Sequence, residues 1–311
     1  AATSYSTHQY TLLPFYIYYS MFGFQRVGDL AWAAGDLQAK GFLLGGTAGR
    51  TTLNGEGLQH QDGHSHLLAS TVPNCISYDP AYAFELAVII RRGLEHMYVE
   101  QAPVYYYLTL MNEAYQHPAM PEGVEDDIVK GMYLLETLGD SNAPRVRILG
   151  SGALLPEARR AAQQLVDSQG LQVQVYSVTS YTELARNIQD HQRETLIQAQ
   201  TQAQATSCHV STLLNTGEWG DAPVIAVSDY VKALPEQLRA AINAPLRVLG
   251  TDGFGRSDTR EQLRAFFEVD SRFIQYSALS ELVAAGHMQL NLQDLRAQLE
   301  IPIDKPNPRE H

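Results

Sequence analysis

PFYIYYSMFGFQRVGDLAWAAGDLQAKGFLL, residues 14–44, decides the architecture of this 311-residue chain. Pro14–Ser20 is aromatic and β-prone. Gln25–Asp36 has helical spacing, with Val27, Leu30, Ala31 and Ala34 on one expected apolar face. Phe42–Leu44 then reads as a short buried strand. Strand, helix, strand is the unit of a parallel sheet, because parallel neighbours need a crossover connection.

The same alternation continues outward. Cys75–Tyr78 reads as a strand. A helix beginning at Pro80 follows, through Phe84, Leu86, Val88 and Ile89, and Val104–Leu110 is a strong strand. Asp140–Pro144 (DSNAP) is short, polar and turn-rich, and is expected to separate two domains, 1–139 and 145–311. Beyond it, strands are expected at Arg145–Leu149, Val173–Val178, Pro223–Val227 and Arg247–Gly250. Helices are expected at Pro156–Ser168, Tyr181–Ile188, Thr259–Phe267 and Phe273–Ala285. Ile197–Ser207 is low in complexity, and composition leaves its role open. The expected fold class is α/β, two domains with mainly parallel sheets.

Composition limits the function. The net charge of −12 and the lack of a basic cluster disfavour nucleic-acid or anionic-membrane binding. No segment has the run of about 18 apolar residues that a membrane span needs. Cys75 and Cys208 are expected to be separate buried thiols of a reducing, cytoplasmic protein. The chain opens on Ala1 without an initiator Met, which fits a fragment or a processed product.

Gly45–His66 (GGTAGRTTLNGEGLQHQDGHSH) carries the strongest functional signal. It holds six glycines, three histidines and two acids, and no periodic pattern. Long patternless loops in compact proteins are usually functional or disordered. Its low Pro, Ser and Lys content and apolar flanks argue for order. Glycines let backbone approach a ligand, and histidines exchange protons near neutral pH. His60 is therefore the candidate catalytic residue; a histidine that merely orders the loop is the plain alternative. Asp62, His64 and His66 have zinc-compatible chemistry, but no further ligand sits at a supporting spacing. They also fit a polar helix start near Asp62 or Ser65. Tyr19 and Phe22 end a β-prone run, where aromatic residues commonly join the core. Leu149–Gly152 (LGSG) is either a tight turn or an anion cradle before a helix. Thr251–Ser257 (TDGFGRS) is expected to shape a turn and an interface.

Four segments together resemble a known family. They are PFYIYYSMFGFQRVGDLAWAAGD (14–36), TAGRTTLNGEGLQH with DGHSH (47–66), PNCISYDPAYAFELAVI (73–89) and LGTDGFGRSDTREQLR (249–264). In this order they resemble the first, thiamine-dependent decarboxylating component of the homodimeric bacterial pyruvate dehydrogenases, and the likeness runs from Ala2 to Pro308. The resemblance implies a transketolase-like fold: a pyrimidine-binding domain incomplete at its start, then a transketolase C-terminal-like domain. It implies oxidative decarboxylation of pyruvate, with the acetyl group passed to a lipoyl arm. Thiamine diphosphate and Mg2+ are the implied cofactors. Implied partners are a second copy in a homodimer and the dihydrolipoyl acetyltransferase component.

By the same resemblance, His60 lies near the thiazolium and serves proton transfer or intermediate stabilisation. Tyr19 and Phe22 flank the aminopyrimidine, and His64 and His66 belong to the substrate-side wall or to the layer of residues behind it. The family's GDG metal motif is absent from this sequence, and its activating glutamate matches no position, so the metal ligands are expected outside the chain. That leaves a second expectation, a non-catalytic dimerisation or docking fragment.

Overall fold

The computed structural model describes residues 9–55, 58–198 and 207–310. Its first sheet contains β1 (Phe15–Tyr19), β2 (Phe42–Gly46), β3 (Cys75–Tyr78) and β4 (Tyr105–Thr109), all parallel, in the order β1-β2-β4-β3. The connecting helices are α1 (Gly23–Asp36), α2 (Ser65–Ser70) and α3 (Ala83–Leu94). α4 (Glu125–Lys130) leads into the second domain.

The second sheet contains β5 (Met132–Leu138), β6 (Arg145–Gly150), β7 (Gln172–Val178), β8 (Val224–Val227) and β9 (Leu246–Leu249), in the order β5-β7-β6-β8-β9. Only β5 runs antiparallel. α5 (Leu155–Gln169), α6 (Tyr181–Ile197), α7 (His209–Leu214), α8 (Arg260–Phe266), α9 (Ser271–Ala284) and α10 (Leu292–Gln298) surround it. β8 is buried throughout, as a parallel strand covered on both faces must be.

Three sequence expectations are corrected. β5 was not expected, and it pairs with β7, so Asp140–Pro144 lies inside the second domain as the β5–β6 turn. The turn chemistry is present: Asp140 accepts from the amides of Asn142 (2.9 Å) and Ala143 (3.1 Å). The structural divide instead falls near Gly131, whose φ of 108° ends α4. Next, α3 starts at Ala83 rather than Pro80, because Glu85 reaches back to the amides of Ala81 (2.6 Å) and Tyr82 (3.0 Å). Such a side chain satisfies first-turn donors that have no helical partner. Lastly, of the apolar face expected for α1 only Ala31 is fully buried and Ala34 partly so; Gly23, Phe24 and Gly35 bury in place of Val27 and Leu30. Small residues let the helix approach closely: a Cβ on Gly35 would stand 2.5 Å from Asn74 Oδ1. Val27 and Leu30 are exposed, as are Trp32 and Leu37. α6 extends past Ile188 to Ile197, and residues 199–206 of the low-complexity stretch lie outside the described residues. Cys75 and Cys208 are free and buried, and burial pushes the Cys75 thiol up to about 12.

Candidate active site

The carboxyl ends of β1, β2 and β4 share one edge of the first sheet, where open parallel sheets hold their ligands. β1 ends at Tyr19, and a single 3₁₀ turn, Ser20–Phe22, leads to α1. Residues three apart eclipse in such a turn, so Tyr19 and Phe22 project together. Their centroids are 5.9 Å apart, edge to face. His60 arrives from the glycine-rich loop and completes the group, 5.2 Å from Tyr19 and 5.0 Å from Phe22. The Arg26 guanidinium lies 4.0 Å above the Phe22 ring. Tyr19 keeps 52% of its surface exposed, so the three rings form an open aromatic corner and not a closed core. A flat heteroaromatic ligand fits such a surface.

The second domain holds the loop behind this corner. Asp229, just past β8, accepts the Thr51 amide at 3.1 Å and the Thr52 hydroxyl at 3.0 Å. Burial pushes its carboxyl up to about 6, against the pull of Arg264 and the Thr51 and Thr52 bonds. Arg260 Nε donates to the Thr52 carbonyl at 2.7 Å, and Gly55 N donates to the Asp258 carbonyl at 3.0 Å. Arg50 is buried and donates to the Gly253 carbonyl. Gly63 packs on its guanidinium so closely that a Cβ would lie 1.9 Å from Nη2. TDGFGRS thus forms the interface with the loop.

Asp62 Oδ1 accepts from the amides of His64 and Ser65, both at 3.0 Å, and starts α2. His64 is half-buried at that start. His66 turns inward, 3% exposed, with Nε2 3.0 Å from Thr109 Oγ1 and its ring edge-on to Tyr230 at 4.8 Å. Burial lowers its pKa to about 4, so it is neutral at physiological pH. The Asp62–His64–His66 trio therefore does not converge on a point. Among the described residues no group of three His, Cys, Asp or Glu side chains is placed to hold a metal ion.

Beneath His66 lies a buried polar cluster that sequence reasoning missed. Thr109 Oγ1 donates to Asp79 Oδ1 at 2.6 Å, and the Tyr230 hydroxyl lies 3.4 Å from the same oxygen. Asp79 Oδ2 presses on Gly152, where a Cβ would stand 2.3 Å away, and Gly152 has a φ of 47°. β6 and β8 are neighbours whose chains continue to opposite sides, which makes their carboxyl ends the switch point of the second sheet. The LGSG turn is there, and the carboxylate seated on it is the chain's own Asp79. Sequence carried no local signal for this, since Asp79 and Gly152 meet only after two domains pack.

Burial raises the Asp79 carboxyl from 3.8 to about 7, with the Thr109 bond opposing and Asp229 reinforcing. The folded state therefore holds a proton there that the unfolded state releases. Its stabilising share is full below 3.8 and is lost as pH rises through 7. His66 acts oppositely: its share is full above 6.5 and is lost as pH falls toward 4. Asp79→Asn is expected to flatten the fall in denaturation midpoint between about pH 6 and about pH 8. A variant whose slope matches the parent would refute the assignment.

Residues 1–118 match the family described as the pyruvate dehydrogenase E1 component middle domain. Residues 131–270 match the transketolase-like C-terminal domain. The pyruvate dehydrogenase E1 component of Escherichia coli K12 is 54% identical over 99% of the chain. Those of Cupriavidus necator and Pseudomonas aeruginosa are 53% and 52% identical over the same share. The chain spans about a third of the length of these relatives, 34–35%. Among solved structures, transketolase from Campylobacter jejuni aligns with a TM-score of 0.59 at 17% identity, covering 86% of this chain and 36% of that one. A transketolase from Pichia stipitis aligns with a TM-score of 0.63 at 14% identity, covering 88% of this chain and 35% of that one. These two likenesses establish a transketolase-like fold.

Proposed function

The chain belongs to the pyruvate dehydrogenase E1 component family, and on that premise we propose that it supplies the pyrimidine-side half of a thiamine diphosphate site for pyruvate decarboxylation. The observation that carries this is the open corner of Tyr19, Phe22 and His60, two aromatic faces and a proton-exchanging group converging from separate segments. The donor set fits the ring system of that cofactor: Tyr19 and Phe22 would hold the aminopyrimidine. Among the described residues no carboxylate group in the corner suits the other end, since a magnesium-bound diphosphate needs hard oxygen ligands. We assign the Mg2+ and diphosphate contacts to parts of the enzyme beyond this chain. Bound there, thiamine diphosphate supplies the electron sink for loss of carbon dioxide from a 2-oxo acid. His60 holds or moves a proton beside it. His64 lines the substrate side of the loop, and His66 supports that wall from beneath through Thr109. Acetyl transfer to a lipoyl group carried by the acetyltransferase component, and a cytoplasmic setting, belong to the same proposal. The test is carbon dioxide release from pyruvate by a full-length enzyme carrying this chain, with thiamine diphosphate and magnesium. Absence of turnover in a folded enzyme overturns the proposal.

A specific observation also favours the docking reading for the chain on its own. β1 pairs only with β2 among the described residues, and Tyr16 and Ile17 on it are exposed. Val27, Leu30, Trp32 and Leu37, on and just after α1, are exposed apolar side chains as well. Exposed apolar residues favour association, and free strand edges template pairing. The 311-residue chain should therefore self-associate in sedimentation as concentration rises, and the double variant Ile17→Lys, Trp32→Glu should suppress it. A parent chain that stays monomeric throughout would count against the surface.

A further inference from the structure

His60 is followed at once by Gln61, whose side chain points the other way and is fully buried. Gln61 Nε2 donates to the Arg256 carbonyl at 2.7 Å and to the Leu53 carbonyl at 3.1 Å. Its Oε1 accepts from the Arg256 amide at 2.6 Å. The carboxamide thus pairs with both backbone groups of one residue of the second domain, as a neighbouring strand would. Arg256 is itself fixed, its guanidinium 4.2 Å over the Phe266 ring. Gly255 makes the approach possible: a Cβ there would fall 2.5 Å from Gln61 Oε1 and 2.8 Å from its Cβ. Two residues on, the Val231 amide donates to the Gly63 carbonyl at 2.8 Å, so the second domain grips the loop again.

From this geometry we infer that Gln61 is a positioning residue, through which the second domain sets the place of the His60 ring against Tyr19 and Phe22. The inference rests on the role proposed above for His60. His60 and Gln61 share a peptide unit, so a shift of the buried carboxamide is passed to the imidazole. Glycines on either side of this segment give the loop no stiffness of its own, so the position has to come from outside it. A displacement of 1 Å at a reacting group costs on the order of 100-fold in rate. The effect belongs in kcat, because Gln61 faces away from the aromatic corner.

The experiment is a double-mutant cycle in the full-length enzyme, with Gln61→Met and Gly255→Ala each made alone and on a His60→Ala background. Gln61→Met keeps length and apolar packing while removing the paired bonds. Gly255→Ala disturbs the same contact from the opposite domain and leaves Gln61 in place, so it stands if Gln61→Met fails to fold. Each is expected to lower kcat about 10–100-fold, with KM changed by less than about threefold. On the His60→Ala background each should lower kcat by less than about twofold. Equal losses on both backgrounds would make the contact merely structural and overturn the inference, as would no loss from either variant. If His60→Ala alone leaves turnover unchanged, the proposed role of His60 fails, and the positioning role falls with it.

Discussion

His60→Ala in a full-length enzyme carrying this chain is expected to lower turnover about 10²–10⁴-fold, the usual contribution of a positioned general acid or base. The expectation comes from placement. The His60 ring lies 5.0–5.2 Å from two aromatic faces at the carboxyl edge of a parallel sheet. The surrounding loop is fastened by buried bonds to another domain, as the Asp229 contacts with Thr51 and Thr52 show. A histidine that only ordered the loop would have little effect on rate once the protein folded, since Asp229, Arg264, Arg260 and Gln61 already order it. Cofactor affinity should change less than turnover, because Tyr19 and Phe22 keep their mutual edge-to-face contact without His60. Measured kcat and cofactor affinity of the purified variant decide it. Unchanged turnover would remove His60 from the chemistry.

Much of this was legible in the sequence, for physical reasons that also explain what was not. Parallel strands buried on both faces are short apolar runs between helices, so β2, β3, β4, β6, β7, β8 and β9 could be read from pattern alone. β5 escaped because it is an antiparallel edge strand, only partly buried, with Glu136 facing Arg159 at 2.6 Å. Its pattern resembles a linker, so the polar turn after it reads as a domain divide. α1 misled because its most apolar residues face outward, while glycine and alanine make the close packing. At the site, the glycine-rich loop singles out His60, whereas Tyr19 and Phe22 read from their own positions as core aromatics and gain a site role only through the resemblance. The residues that hold them could not be found that way. Asp79, Asp229, Arg264 and Gln61 are ordinary polar residues in the sequence, and their burial exists only once the two domains meet. The resemblance supplied the cofactor roles, which spacing alone could not.

The largest stability effect is expected at Arg264, for the same reason. It sits on α8 with 7% of its side chain exposed. Nη1 donates to Glu113 Oε1 at 3.2 Å and to Glu157 Oε1 at 3.4 Å, Nη2 donates to Glu113 Oε2, and Nε lies 3.4 Å from Thr51 Oγ1. One guanidinium therefore joins α8, α5, the strap after β4 and the glycine-rich loop. Burial alone would lower its pKa, but the bond to Glu113 and the fields of Asp229 and Glu157 raise it above the usual arginine value. Arg264→Leu would leave Glu157, which is 3% exposed, and Glu113 beside it without their shared cation. Removing one partner of a buried ionic group typically costs about 3–5 kcal/mol, because the remaining charge stays desolvated. Arg160 still reaches Glu157 at 2.8 Å, which favours the lower end for that carboxylate. Arg264→Lys keeps the charge but loses the forked donation, so it should fall between parent and Leu variant. The loss should persist in high salt, since buried pairs are poorly screened. Denaturant titration of the three proteins at low and high ionic strength measures it. A Leu variant within about 1 kcal/mol of the parent, the range of an exposed pair, would show that this junction is not held by charge.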